Sequence, residues 1–177
     1  MLNKKDIDYF NFGKIENEKF WRRLGGKPDL KNKSVLDFGC GHGALCVDIA
    51  QSEAKTVSGI DLEENLLKFA NDNLKENYQN LKNKITFEKK DILKNNIEKK
   101  FDAVQHVLDD ELDLIVSKDT FEHTLNLEGV LKKMYDLLDI GGKAYIGFGP
   151  LYNFYNGDHG RTKMYLPWFH LLFSEKF

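Results

Sequence analysis

Between Ser34 and Leu45 the chain reads Ser-Val-Leu-Asp-Phe-Gly-Cys-Gly-His-Gly-Ala-Leu. A short apolar run leads into a turn with glycine at alternate positions, Gly39, Gly41 and Gly43. An apolar-periodic segment then continues through Val47, Ile49 and Ala50. A buried strand, a tight loop and a helix satisfy this pattern. Glycine in the loop admits positive φ and removes side chains, so a ligand can rest against bare backbone. The loop opens a helix, whose unpaired N–H groups and positive dipole end favour an anionic or electron-rich ligand. The dinucleotide fingerprint G-x-G-x-x-G does not fit. After Gly41 the next glycine comes one residue early, and an acid, Asp37, stands ahead of Gly39.

The rest of the chain alternates in the same way. Ile7, Tyr9, Phe10, Phe12, Ile15, Phe20, Trp21 and Leu24 recur at roughly helical spacing until Gly25-Gly26 stops the helix. Residues 1–30 therefore form a helical preface and 31–177 the main domain. The helix after the glycine loop runs to about Glu53. A second strand over 55–60 ends at Asp61, and a helix over 62–81 turns Leu66, Leu67, Phe69, Ala70 and Leu74 inward. A third strand, 85–88, leads to Asp91-Ile92. The fourth strand is 112–117, with 101–111 as a helix or extended connector; Phe101–Val104 is the weaker candidate for that strand. A helix over 125–138 buries Leu127, Val130, Leu131, Met134, Leu137 and Leu138 and is closed by Gly141-Gly142. A fifth strand follows at 143–148. Strand–helix alternation of this kind predicts a parallel α/β sheet.

Composition narrows the function. The 177 residues suffice for one domain. A net charge of −2 argues against a dedicated nucleic-acid binder, and the lysine doublets 89–90 and 99–100 read as solvated faces. The N-terminus has no apolar signal region, and no apolar run is long enough to span a bilayer. Cys40 and Cys46 match no zinc spacing, and a disulfide between them would distort the loop, so they are expected as reduced thiols of a cytoplasmic protein.

The stretch from Asp37 to Gly43 resembles motif I, D-x-G-x-G-x-G, of the class I S-adenosylmethionine-dependent methyltransferases. With Asp61, Asp91 and the Ser117–His123 tail in the family's order, the resemblance covers about residues 30–150. It implies a Rossmann-like, doubly wound, mostly parallel sheet with helices on both faces and S-adenosylmethionine as cofactor. Asp37, Gly39, Cys40, Gly41 and Gly43 would pass under its methionine end, with Asp37 holding the amino group. Asp61, about 20 residues past the loop, would accept the ribose hydroxyls beside Leu62. Asp91 would take the adenine amino group and Ile92 a ring nitrogen through its N–H, while Lys118 completes the cofactor set. Asp61 could instead cap the next helix with Glu64 in a capping box, and Asp91 could be an ordinary loop acid. The leading helix often forms a lid in the family, which makes Tyr9 and Phe12 lid candidates. The family's sheet normally ends with two further strands that are apparently missing here. The chain is then truncated relative to its relatives or a fragment, and the open sheet edge offers a route to oligomers.

Methyl transfer from a sulfonium needs proximity above all, and a base only where the acceptor loses a proton. His123 and His159 are the candidate bases, with Glu122 and Asp119 behind them. Each histidine could equally be a structural polar residue. His42, His106 and His170 lack a partner at ligand spacing, so no metal site is expected. The aromatic loop after the fifth strand, with Tyr152, Phe154 and Tyr155, suits a small-molecule acceptor methylated on oxygen or nitrogen. A nicotinamide oxidoreductase would need a different glycine pattern. A non-catalytic adenosine-cofactor-binding protein of the same fold remains the alternative.

Overall fold

The computed structural model describes residues 2–93 and 112–149. The expectations for residues 94–111 and for His159 and the aromatic residues of its loop lie outside the described residues. Five strands form one parallel sheet in the order β3-β2-β1-β4-β5. They are β1 (Ser34–Phe38), β2 (Thr56–Asp61), β3 (Ile85–Lys89), β4 (Leu112–Lys118) and β5 (Leu138–Gly147). The chain starts at the centre, builds outward to β3, then crosses back to β4 beside β1. That reversal opens a crevice at the carboxyl ends of β1 and β4, where sheets of this kind bind ligands.

Alternation along each strand divides the core between two faces. On one face Val35, Val57, Leu114 and Val116 pack with α1 (Lys4–Arg23), α2 (Ala44–Gln51) and α3 (Glu64–Asn77). On the other, Leu36, Ile60, Leu112 and Ile115 pack with Val130 and Met134 of α4 (Leu127–Leu137). Helices thus cover both faces, as a doubly wound sheet requires. β1 and β4 are buried on both sides, which is why they read as apolar runs rather than as alternating ones.

α1 begins where the Asn3 side chain accepts the Lys5 N–H. It ends where Gly26 N–H returns to the Trp21 carbonyl, with Gly25 and Gly26 both at positive φ. Phe10, Phe20 and Trp21 enter the same buried cluster as α2 and β1, but Tyr9, Phe12 and Ile15 are exposed. The predicted aromatic stripe is therefore split between core and surface.

Two boundaries and one helix face differ from the sequence reading. The helix expected over 62–81 ends at Asn77. Tyr78 leaves helical geometry, at φ −133° and ψ 42°, and a 3-10 turn follows at Gln79–Leu81. Gly141-Gly142 do not close α4, which passes straight into β5 at Leu138. The glycine pair instead lies inside β5, where the pairing slips between Leu112–Leu138 and Leu114–Lys143. Gly141 takes φ +86° there, and a Cβ on Gly142 would stand 3.0 Å from the Leu112 carbonyl. Leu127 and Leu131, expected inward, are exposed on α4.

Candidate functional site

The three loop glycines are needed for different reasons. All have positive φ, of 77°, 51° and 79° for Gly39, Gly41 and Gly43. A Cβ on Gly39 would meet the Thr120 side chain at 2.1 Å, and one on Gly43 would meet the Phe87 ring at 2.5 Å. A Cβ on Gly41 would meet nothing within 4 Å. Two glycines let the protein close on itself; only Gly41 turns bare backbone toward open space.

The loop is fixed from below and from both sides. Gly39 and Cys40 N–H groups donate to the Ile60 carbonyl at 2.9 and 3.0 Å. The Ser117 hydroxyl donates to the Phe38 carbonyl at 2.9 Å, which ties β4 to the loop's entrance. Asp61 stands beside the open glycine: its Oδ2 accepts the Gly41 N–H at 2.8 Å and its Oδ1 the Glu63 N–H at 2.9 Å. A carboxylate has about four acceptor positions, so Asp61 keeps capacity for hydroxyl donors. The capping-box alternative does not form: the N-cap of α3 is Glu63, and Glu64 pairs with Lys89. Leu62, next to Asp61, is 58% exposed. Asp91 Oδ1 accepts the Leu93 N–H, whereas the Ile92 side chain is buried in the α4-side core and leaves only its backbone for a ligand.

Asp37 is under the loop, not at its mouth. It is 1% exposed, and its Oδ2 accepts the Cys46 thiol at 3.2 Å. Burial pushes its carboxyl up to about 7, against the opposing pull of the Cys46 hydrogen bond and the Lys118 charge. Cys40 and Cys46 are free and buried. Burial above all lifts Cys46 well above the ordinary thiol range. The neighbouring Cys46 thiol draws Cys40 down, yet burial and the Asp37 and Asp61 charges leave it raised. Both are poor nucleophiles in this state.

α1 crosses the carboxyl end of the sheet. Near its start Asp6 Oδ1 lies 3.3 Å from His42 Nε2, and the Tyr9 ring is 4.7 Å from the His42 ring. At its middle Lys118 Nζ donates to the Gly13 carbonyl and the Asn17 side chain. Near its end Phe20 stands 3.0 Å from where a Cβ of Gly147 would be. Sequence spacing could not pair His42 with Asp6, 36 residues away. Asn17, 2% exposed, was also missed. Its signal was available, because position 17 falls on the helix face of Phe10, Gly13 and Phe20, where a polar residue must find partners.

β4 ends in a sharp change of direction. Asp119 has φ 55°, uncommon for a side chain other than glycine, and donates its N–H to the Gly147 carbonyl at 2.8 Å. The residue is exposed, but partial shelter of its carboxyl raises its affinity for a proton, with Lys118 and Arg23 pulling the other way. His123 is exposed at the end of the 3-10 turn Phe121–His123 that follows. The described residues hold no group of three His, Cys, Asp or Glu placed to bind a metal ion. None of their helices is long and apolar enough to cross a membrane. A cavity of about 550 Å³ lies elsewhere, between the end of α1 and α2, but its Trp21 and Lys27 both already donate to Asp48.

Fold and loop together define a doubly wound α/β domain with a glycine-loop crevice at its strand reversal. A family model described as a methyltransferase domain matches residues 29–147. The chain belongs to this family, the class I S-adenosylmethionine-dependent methyltransferases. Phosphoethanolamine N-methyltransferase 3 of Arabidopsis thaliana is 33% identical over 139 residues, 78% of this chain and 25% of that protein. Ribosomal protein L11 methyltransferase of Haemophilus influenzae is 41% identical over 49 residues, 28% of this chain and 17% of that protein. Among solved structures, a Listeria monocytogenes protein classed as an S-adenosylmethionine-dependent methyltransferase superposes with a TM-score of 0.55 at 28% identity, over 71% of this chain and 52% of that one. The chain spans about half or less of the length of each.

Proposed function

We propose that this chain transfers the methyl group of S-adenosylmethionine to an oxygen or nitrogen of a small-molecule acceptor. The observation that carries the cofactor part is Gly41, whose bare backbone faces open space with the Asp61 carboxylate 2.8 Å from its N–H. In this reading Gly39, Cys40, Gly41 and Gly43 form the floor under the methionine end, and Asp37 supports it from below. Asp61 takes the ribose hydroxyls. Leu62, Asp91 and the Ile92 N–H surround the adenine, and Lys118 lies at the amino-acid end. The positive end of α2 and a carboxylate beside the loop suit a zwitterionic sulfonium better than a diphosphate, which Asp61 would repel.

The sulfonium carries its own activation, so the chain's residues orient and desolvate. α1, with Tyr9 and Phe12 at its exposed edge, shelters the crevice as a lid. Where the acceptor loses a proton, His123 and Asp119 stand after the carboxyl end of β4 to receive it. The small-molecule acceptor draws support from the amine acceptor in the name of the Arabidopsis relative. The L11 relative, named for a protein acceptor, matches over a much shorter stretch. Calorimetric titration with S-adenosylmethionine, S-adenosylhomocysteine and NAD tests the cofactor. Tighter binding of the two sulfur nucleosides than of NAD is expected, and the reverse order would sink the reading.

A further inference from the structure

Lys118 is a half-buried cation without a counter-ion among the described residues. Its ammonium donates to two neutral oxygens, Asn17 Oδ1 at 2.7 Å and the Gly13 carbonyl at 3.3 Å. An ammonium has three N–H donors, so one is unfilled. The carboxylates whose charges reach it are committed elsewhere or held off. Glu16 on α1 pairs with Lys19, Asp48 on α2 with Lys27, and Asp37 on β1 accepts the Cys46 thiol. Asp119, next in sequence, is among the charges that reach the ammonium but forms no ion pair with it within 4.0 Å. A sheltered charge held only by neutral acceptors is costly, and an anionic ligand repays that cost.

Asn17 keeps the ammonium there. Its amide is buried and used at both ends: Nδ2 donates to the Ala44 carbonyl at 3.1 Å and Oδ1 accepts Lys118. Ala44 opens α2, directly after the glycine loop. Gly13 permits this close approach, since a Cβ there would lie 3.0 Å from the Ala44 Cβ. One amide therefore fixes three things to each other: the leading helix, the end of the glycine loop and the cation at the end of β4.

We propose that Asn17 is a positioning residue that holds the Lys118 ammonium as the counter-ion of a ligand carboxylate, that of the cofactor's amino-acid end. This rests on the cofactor reading above and adds a role for α1 within the site. A carboxylate on the acceptor would satisfy the same ammonium, so the test separates the two sources. The full chain is titrated with S-adenosylhomocysteine, which carries the carboxylate, and with 5′-methylthioadenosine, which lacks it. Lys118→Met and Asn17→Ala should weaken S-adenosylhomocysteine by roughly 10- to 100-fold, the range for a charge-assisted bond. Both should leave methylthioadenosine nearly unchanged. Should Asn17→Ala fail to fold, Asn17→Asp supplies an internal counter-ion and should produce the same selective loss. Equal loss of both ligands would mean general damage and overturns the proposal. Unchanged S-adenosylhomocysteine affinity in Lys118→Met also overturns it, and assigns the ammonium to another anion. If the unsubstituted chain binds neither nucleoside, the cofactor reading itself falls.

Discussion

Asp37, beneath the loop, shows how burial converts side-chain identity into behaviour. Asp37 is an acid by sequence, but its place beneath the loop raises its pKa to about 7, against an ordinary carboxylate value of 3.8. The folded state therefore favours the protonated form. That contribution to stability is fully present below about pH 4 and is lost as pH rises through about 7. Melting temperatures at pH 5 and pH 8 should accordingly differ more in the unsubstituted chain than in Asp37→Asn, which has no charge to bury. Equal slopes would place Asp37 in contact with water. The loop glycines give a second contrast. Gly41→Ala puts a methyl into open space and should cost only the left-handed backbone strain, about 1–2 kcal/mol. Gly43→Ala adds a collision with the Phe87 ring and should cost roughly 3 kcal/mol or more. Urea denaturation checks the order. Cofactor binding should suffer in Gly41→Ala although its fold survives.

At the scale of elements, α4 shows the limit of periodicity. Leu127, Val130, Leu131 and Met134 share one apolar pattern, yet only Val130 and Met134 are buried against the sheet, while Leu131 is 44% exposed. Met134→Ala should destabilise by about 2–5 kcal/mol, the range for emptying a core site. Leu131→Ala should stay within roughly 0.5 kcal/mol. Similar losses for both would mean that Leu131 is covered. β5 carries a related lesson. Its glycine pair has the composition of a helix stop, but a helix ends without one when its last residue extends directly into a strand. The glycines then serve the slipped register beside Leu112.

At the scale of the molecule, the leading helix and the parallel sheet act as one body. Phe10, Phe20 and Trp21 share the core of β1 and α2, and the Lys118–Asn17–Ala44 chain of hydrogen bonds joins α1 to both the loop and β4. A helix first read as a preface is thereby built into the crevice. The strand reversal between β1 and β4 makes that crevice, and every residue proposed to hold the cofactor, from Asp37 to Lys118, stands at or next to the carboxyl end of a strand.

The sequence by itself determined the fold class, the five parallel strands and the position of the glycine loop. Those features are local: buried parallel strands must be apolar runs, and a loop of alternating glycines announces itself without knowledge of its neighbours. It also marked Asp61 through its distance from the loop. Only the tertiary structure decided which glycine faces open space, since Phe87 of β3 and Thr120, just past β4, which close the other two, are distant in sequence. It alone set the burial of Asp37, the split of the α1 aromatics and the pairing of His42 with Asp6. Periodicity tells which side of a helix is apolar, but how far the neighbouring layer reaches across that side is settled when the layers pack. Lys118 shows the same division. Its sequence neighbours mark it as the end of a strand, and only the approach of α1, through Asn17 and Gly13, makes it a held cation.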